Sequence, residues 1–212
     1  MNILFLGYVV DPAEAEKYNG ISVAGNKMQW NIISNLSKLN SNITCISLAP
    51  HASFPKEKIL MQHFRKILYS SSFSYINPSY FNVPFIKQLS QIMGVFIQAY
   101  KHLKNNPDSI VILYNLSIHI GIPFNVIRKI FPKHDYVCIV ADLPLIDDYS
   151  RRGFYSFFTR LGAENWCNNL KKCDKFIALN ENAVKPYIDN KPYIIIDVEL
   201  MKRILIYMMN LT

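Results

Sequence analysis

Short apolar runs of strand length alternate with longer stretches of helical periodicity along this chain, and no other property narrows its possible folds as much. The predicted strands are residues 3–7, 43–48, 66–69, 109–114, 136–140, 175–179 and 193–196. The predicted helices are residues 25–39, 85–103, 118–130, 154–170 and 181–187. Strands separated by helices pair in parallel, and strands this apolar are typical of burial on both faces. The sequence therefore predicts an α/β fold, a Rossmann-like, doubly wound, mostly parallel sheet of about seven strands with helices on both faces.

Two segments depart from this regular pattern. Residues 70–84 are rich in Ser, Asn, Pro and aromatic residues, a composition that predicts a loop and a candidate pocket wall. Pro123 is expected to break the helix predicted at 118–130 near its start.

Charge limits the kinds of partner to consider. The 212 residues contain 23 Lys and Arg against 15 Asp and Glu, a formal net charge of +8. Such a balance favours nucleic acid, anionic lipid headgroups or phosphorylated small molecules as partners.

No apolar run approaches the roughly 18 to 20 residues that span a bilayer. Because a strand begins at once after Met1, and the four cysteines lack metal-ligand spacing, we expect a cytoplasmic protein with reduced thiols.

A glycine-containing segment stands between the first strand and the first helix. Gly20, Ser22, Gly25 and Asn26 lie at the predicted helix start, where backbone amides and the helix dipole favour an anion or a hydroxyl-rich ligand. The alternative is that the glycines only make a tight turn. The spacing fits neither a P-loop nor the dinucleotide-binding fingerprint, which disfavours an NTPase and makes NAD or FAD binding unexpected.

Polar residues also follow two later strands, at the edge where such sheets bind ligands. Asn115, Ser117 and His119 come after the strand at 109–114, and His119 could donate a hydrogen bond or act as a base. Asp142 follows the strand at 136–140 and could bind sugar hydroxyls or act as a base. The alternatives are a capping or surface histidine and an Asx turn.

Other chemistries find little support in the sequence. The basic, aromatic stretch 150–172 could lie on an anionic membrane, although its aromatic residues could equally pack inward. RNA-binding signatures and a hydrolase elbow are both missing, so we expect no nucleic-acid partner and no triad chemistry. The five histidines lack ligand spacing, so neither a metal nor a bound cofactor is expected.

Four segments together resemble the N-terminal domain of a family 4, GT-B type glycosyltransferase, also called glycosyltransferase group 1. They are residues 2–7, 19–31, 141–144 and 174–180. The resemblance implies an acceptor-binding domain whose partner domain holds a nucleotide-sugar, with metal-independent transfer that retains anomeric configuration. It places Gly20, Ser22 and Gly25 towards the donor phosphates and the acceptor, and Asn115, His119 and Asp142 on the acceptor side.

The chain departs from that family after residue 196. Residues 1–196 are predicted to form the Rossmann-like domain, and the tail 197–212 is predicted to be helical and stands where the donor domain would begin. The expected function is sugar transfer from a nucleotide-sugar to a saccharide or lipid-linked acceptor, in polysaccharide or glycolipid assembly at the inner face of a membrane. The alternative is a catalytically silent remnant, or a saccharide-binding domain that needs a separate donor domain.

Overall fold

The chain folds around one twisted, mostly parallel sheet. The computed structural model describes residues 1–18, 20–38, 41–141, 164–180 and 190–195, together with residues 162, 185 and 188. The strands are β1 (Asn2–Gly7), β2 (Asn42–Ser47), β3 (Met61–Gln62), β4 (Arg65–Ser70), β5 (Phe73–Asn77), β6 (Tyr80–Phe81), β7 (Ser109–Tyr114), β8 (Tyr136–Val140), β9 (Lys175–Ala178) and β10 (Tyr193–Ile195). The helices are α1 (Val23–Ser37), α2 (Ile86–Asn105) and α3 (Ile118–Ile130), and residues 164–170 are also helical.

Strand order shows a doubly wound topology. Within the described residues the main sheet has eight strands in the order β10-β9-β8-β7-β1-β2-β5-β4, and β3 pairs with β6 in a separate antiparallel ribbon. All neighbours in the main sheet are parallel except β4, which runs antiparallel to β5 at the edge. Parallel neighbours cannot be joined by a tight hairpin. The chain therefore passes between them through crossover connections, such as α1 between β1 and β2.

Helices cover both faces of the sheet. Alternate residues of β1 illustrate this: Phe5 packs on the same face as Ile33 of α1, whereas Leu6 lies in the cluster that contains α2, α3 and residues 164–170. Strands with apolar residues on both faces can be buried only between two layers. The predicted α/β, Rossmann-like, doubly wound fold is therefore confirmed.

The segment 70–84 was predicted as a loop, and that prediction is wrong for β5. This strand pairs in parallel with β2, even though it contains Ser74 and Asn77. The Ser74 hydroxyl lies 3.2 Å from Thr44 Oγ1 of the neighbouring strand, which satisfies a polar group that the composition assigned to a loop. The described main sheet consequently has eight strands, one more than expected.

A partly buried histidine, His102, lies near the end of α2, before the chain enters β7. His102 Nε2 is 3.3 Å from Ser109 Oγ, and burial, with a smaller contribution from His134, lowers the pKa of His102 to about 4. The folded protein therefore holds this imidazole neutral at pH values where the unfolded chain, with a histidine pKa near 6.5, takes up a proton.

We expect acid to destabilise the protein partly through His102. The contribution of the neutral ring is fully present above pH 6.5 and falls as pH drops towards 4, because the unfolded state binds more protons in that interval. Urea unfolding at pH 7.5 and at pH 4.5 measures the loss of unfolding free energy between these pH values. After allowance for partial exposure, this loss should be about 1–2 kcal/mol smaller in His102→Gln than in the wild type. Exposed His63 is the control: His63→Gln should follow the wild type, and equal pH dependence in all three proteins would contradict the assignment.

Candidate active site

The direction of chain progression reverses at the centre of the sheet. From β1 the chain adds β2, β5 and β4 on one side, and then returns to place β7, β8, β9 and β10 on the other. The crevice beyond the carboxyl ends of β1 and β7 is where such sheets bind ligands, because the loops diverge there. Tyr8 follows β1 and Asn115 follows β7 at this point.

Three side chains meet in this crevice. The Tyr8 hydroxyl hydrogen-bonds Ser117 Oγ and lies 3.2 Å from His119 Nδ1, and the Tyr8 and His119 rings meet edge to face at 6.5 Å. Within the described part of the chain, the buried Nε2 of His119 has no hydrogen-bond partner. A buried imidazole nitrogen is costly to leave unpaired, so this atom is a candidate for contact with a ligand.

Burial keeps these groups neutral at physiological pH. It raises the pKa of Tyr8 to about 12 and, together with the charge of Lys87, lowers the pKa of His119. A phenol and a neutral imidazole can exchange hydrogen bonds with hydroxyl groups, and a neutral imidazole can also take up a proton. The crevice is therefore suited to a polyhydroxylated ligand.

The glycine segment reaches the crevice through Gly25. Ser22 caps α1 by accepting a hydrogen bond from Gly25 N at 3.2 Å, and a Cβ on Gly25 would lie 3.6 Å from the Tyr114 hydroxyl at the end of β7. Gly20 lies elsewhere, because a Cβ there would be 3.4 Å from the Pro50 carbonyl oxygen beyond β2. The structure thus brings Gly25 and Ser22 towards the β1–β7 crevice and places Gly20 over the neighbouring strand.

Asn26 serves the loop in this structure. It is buried, its Oδ1 accepts from Val10 N at 2.8 Å, and its Nδ2 donates to the Val10 carbonyl at 3.1 Å. These bonds engage both ends of the amide, so the geometry favours a positioning role over the predicted substrate contact. Sequence reasoning missed the equivalent role of Gln29, whose side chain binds both the N–H and the carbonyl of Tyr8.

Side chains from β2, β4 and β5, together with those from α1, hold the segment 8–14 that follows β1. Ser47 Oγ binds both backbone groups of Val9 at 2.7 and 2.6 Å. Further contacts come from Tyr75 to the Val9 carbonyl, Tyr69 to Asp11, and Arg65 to both carboxylate oxygens of Glu14. This segment, which forms one wall of the crevice, is therefore fixed in place by the sheet and by α1.

Asn115 ties two strand ends together. It has a left-handed backbone with φ of 45°, and its Oδ1 accepts a hydrogen bond from Ala141 N at 3.0 Å. This bond fixes the residue that precedes Asp142. Asp142 lies outside the described residues, so its predicted role stays a prediction.

A lysine that sequence reasoning missed also lies on the carboxyl side. Lys87, in the first turn of α2, is largely buried, donates to the His51 carbonyl, and has its pKa lowered by burial. Lys87 lies on the buried side of α2, four residues before Gln91. The sequence would indicate this burial only if the side of the helix that faces the sheet were already known. Among the described residues, no cluster of three or more His, Cys, Asp or Glu side chains could hold a metal ion.

No protein-family model and no curated protein sequence matches the chain. Solved structures do match. Sucrose-phosphate synthase from Thermosynechococcus elongatus superposes with a TM-score of 0.57 at 10% identity, over 92% of this chain and 48% of that one. The UDP-forming α,α-trehalose-phosphate synthase from Burkholderia vietnamiensis gives 0.54 at 5%, over 89% and 43%. Its counterpart from Burkholderia xenovorans, solved in complex with glucose-6-phosphate, gives 0.53 at 8%, also over 89% and 43%.

These similarities concern the fold. At such identities they support a GT-B type α/β unit, and they leave membership of family 4 a prediction. The chain spans less than half the length of each of these solved structures.

Proposed function

We propose that this chain is the acceptor-binding half of a retaining glycosyltransferase. It would work with a second domain that holds a nucleotide-sugar, and would pass the sugar to a saccharide or lipid-linked acceptor. The observation that carries the proposal is the buried, unpaired Nε2 of His119 at the β1–β7 crevice, within the described residues.

The matched structures support this choice of chemistry. They are synthases of sucrose phosphate and trehalose phosphate; both trehalose-phosphate synthases are UDP-forming, and one of these was solved with glucose-6-phosphate. A neutral crevice floored by a phenol, a hydroxyl and an imidazole suits the same class of ligand, because sugar hydroxyls both donate and accept hydrogen bonds.

Each group in the crevice has a proposed task. His119 Nε2 contacts a sugar hydroxyl, and the Tyr8 hydroxyl, itself bonded to Ser117, holds the ring through its other nitrogen. Gly25 lies in the first turn of α1, which Ser22 caps, and the N-terminus of this helix would stabilise the donor phosphates. The acceptor oxygen bonds to the sugar carbon as the bond to the nucleoside diphosphate breaks, and the departing diphosphate takes the proton that the acceptor hydroxyl loses, so this scheme needs no metal. Polysaccharide or glycolipid assembly and membership of family 4 form part of the same proposal.

Replacing His119 tests the proposal at the level of binding. Calorimetric titration with glucose 6-phosphate, as a saccharide acceptor, should show that His119→Ala weakens binding about 5- to 30-fold, the value of one to two hydrogen bonds. Tyr8→Phe should have a smaller effect, since it only loosens the ring. His63→Ala, on an exposed strand-side loop, is the matched control.

Two outcomes decide the matter. Binding that is equal in His119→Ala and the wild type would remove the crevice from the ligand site. Tight saccharide binding without sugar transfer, even when a donor-binding domain is supplied, would favour the alternative of a saccharide-binding domain. With transfer established, Asp142→Ala tests the remaining predicted residue.

A further inference from the structure

The more apolar side of α2 faces solvent. Leu89 and Met93 expose 64% and 49% of their surface, and Ile86 and Ile97, on the same side of the helix, are also exposed. The opposite side, which packs inward, begins with Lys87 and Gln91 and becomes apolar only further along. A soluble helix normally buries its apolar stripe, so this orientation indicates an occupant for the exposed side.

This exposed surface continues beyond the helix. Phe85, which precedes α2, is 89% exposed. The β3–β6 ribbon adds Met61 and Phe81, which face each other across the ribbon, and Phe81 N is bound to Ser90 Oγ of α2 at 3.1 Å. We define the α2 ridge as Phe85, Ile86, Leu89, Met93 and Ile97. A groove of about 470 Å³ runs between this ridge and residues 78–79.

The charged residues of α2 are all basic. Lys101 and Lys104 are exposed and continue the stripe of Met93 and Ile97 at helical spacing. α2 contains one further lysine, the inward-facing Lys87, and no acidic residue.

We propose that the α2 ridge docks on an anionic lipid bilayer. An apolar stripe of Phe, Leu, Ile and Met that ends in lysines fits the interface of a membrane, where apolar side chains enter the acyl boundary and lysines contact headgroups. The centre of a protein–protein interface, by contrast, is depleted of lysine. Charge complementarity therefore selects anionic lipid as the occupant.

The position of the ridge gives docking a consequence for the crevice. α2 begins on the carboxyl side of the sheet, and Lys87, the neighbour of Ile86, contacts His51 there. A docked ridge would hold the rim of the crevice at the lipid surface, within reach of a lipid-linked acceptor. This last step rests on the proposed function, whereas the docking itself does not.

Vesicle co-sedimentation of the full chain tests the docking. Binding to vesicles of phosphatidylglycerol and phosphatidylcholine should be strong and should weaken with salt, and pure phosphatidylcholine should bind far less. Leu89→Gln/Met93→Gln should weaken binding about 30-fold, since both side chains are already exposed and Gln preserves helix propensity. Lys101→Gln/Lys104→Gln should weaken it about 25-fold.

Matched variants separate docking from general attraction. Lys27→Gln/Lys38→Gln removes the same charge from the exposed side of α1, on the opposite face of the sheet, and should change binding less than threefold. Equal loss in both lysine pairs, or full binding by Leu89→Gln/Met93→Gln, would overturn the proposal. So would a dimer of the wild type in light scattering that the Leu89→Gln/Met93→Gln change abolishes, since the ridge would then bind a second copy.

Discussion

Gly7→Ala should destabilise the protein by about 3–4 kcal/mol, although it adds a single methyl group. A Cβ at this position would overlap Gln29 Oε1 and would lie 2.7 Å from Phe5 Cε1. Gln29 cannot retreat without losing its bonds to the backbone of Tyr8 and to the Gly25 carbonyl. At roughly 2–4 °C per kcal/mol, thermal unfolding should shift down by about 6–16 °C.

The control for this prediction is another glycine with the opposite surroundings. Among the residues that the structure describes, none has an atom within 4 Å of a Cβ placed on Gly162, and Gly162 itself is helical. Gly162→Ala should therefore be neutral or stabilise by up to about 1 kcal/mol, because alanine has the higher helix propensity. If the two variants melt together, the close approach of α1 to β1 is not what selects glycine at position 7.

Asp174→Ala should cost about 2 kcal/mol of unfolding free energy, because three hydrogen bonds are lost at a partly buried ion pair. The Asp174 carboxylate accepts from both terminal nitrogens of Arg128, at 2.8 and 2.6 Å, and from Tyr136 N at 3.0 Å. Arg128 in turn stacks 4.9 Å from the Tyr136 ring centre. Loss of the carboxylate leaves a backbone donor and a stacked guanidinium without their acceptor, and chemical denaturation measures the deficit.

A neighbouring carboxylate provides the comparison. Asp135 makes a single ion pair to Lys175, at 2.9 Å, and is 44% exposed. Because such pairs contribute little in solvent, Asp135→Ala should cost less than about 1 kcal/mol. Equal effects of the two substitutions would show that the bidentate arrangement contributes no more than the exposed pair.

The fold was predictable where strands are buried on both faces. β1, β7 and β8 are almost continuously apolar, so both their existence and their parallel pairing followed from the sequence. β5 was missed because its polar residues are satisfied across strands, which a single-sequence pattern does not reveal. Pro123 was expected to break α3, yet the helix is continuous through it, since Phe124 and Ile127 are buried against the sheet.

The candidate site was predictable to the extent that it follows strand ends. Ser117 and His119 were singled out because they come just after β7, and the structure joins them to Tyr8. Tyr8 and Gln29 were missed because their partnership spans 21 residues and depends on how α1 packs. Lys87 was missed because it lies on the buried side of α2, whereas apolar residues of that helix such as Leu89 and Met93 are exposed.

The anchoring of the segment after β1 bears on how quickly a ligand can be captured. Val9 is clamped by Ser47 and Tyr75, and Glu14 by Arg65, so little backbone entropy remains to be lost at that wall of the crevice. Association on this half should then resemble a rigid encounter, with a rate set by diffusion and orientation and no slow rearrangement of this segment. Any slow phase in binding would have to originate in another part of the molecule.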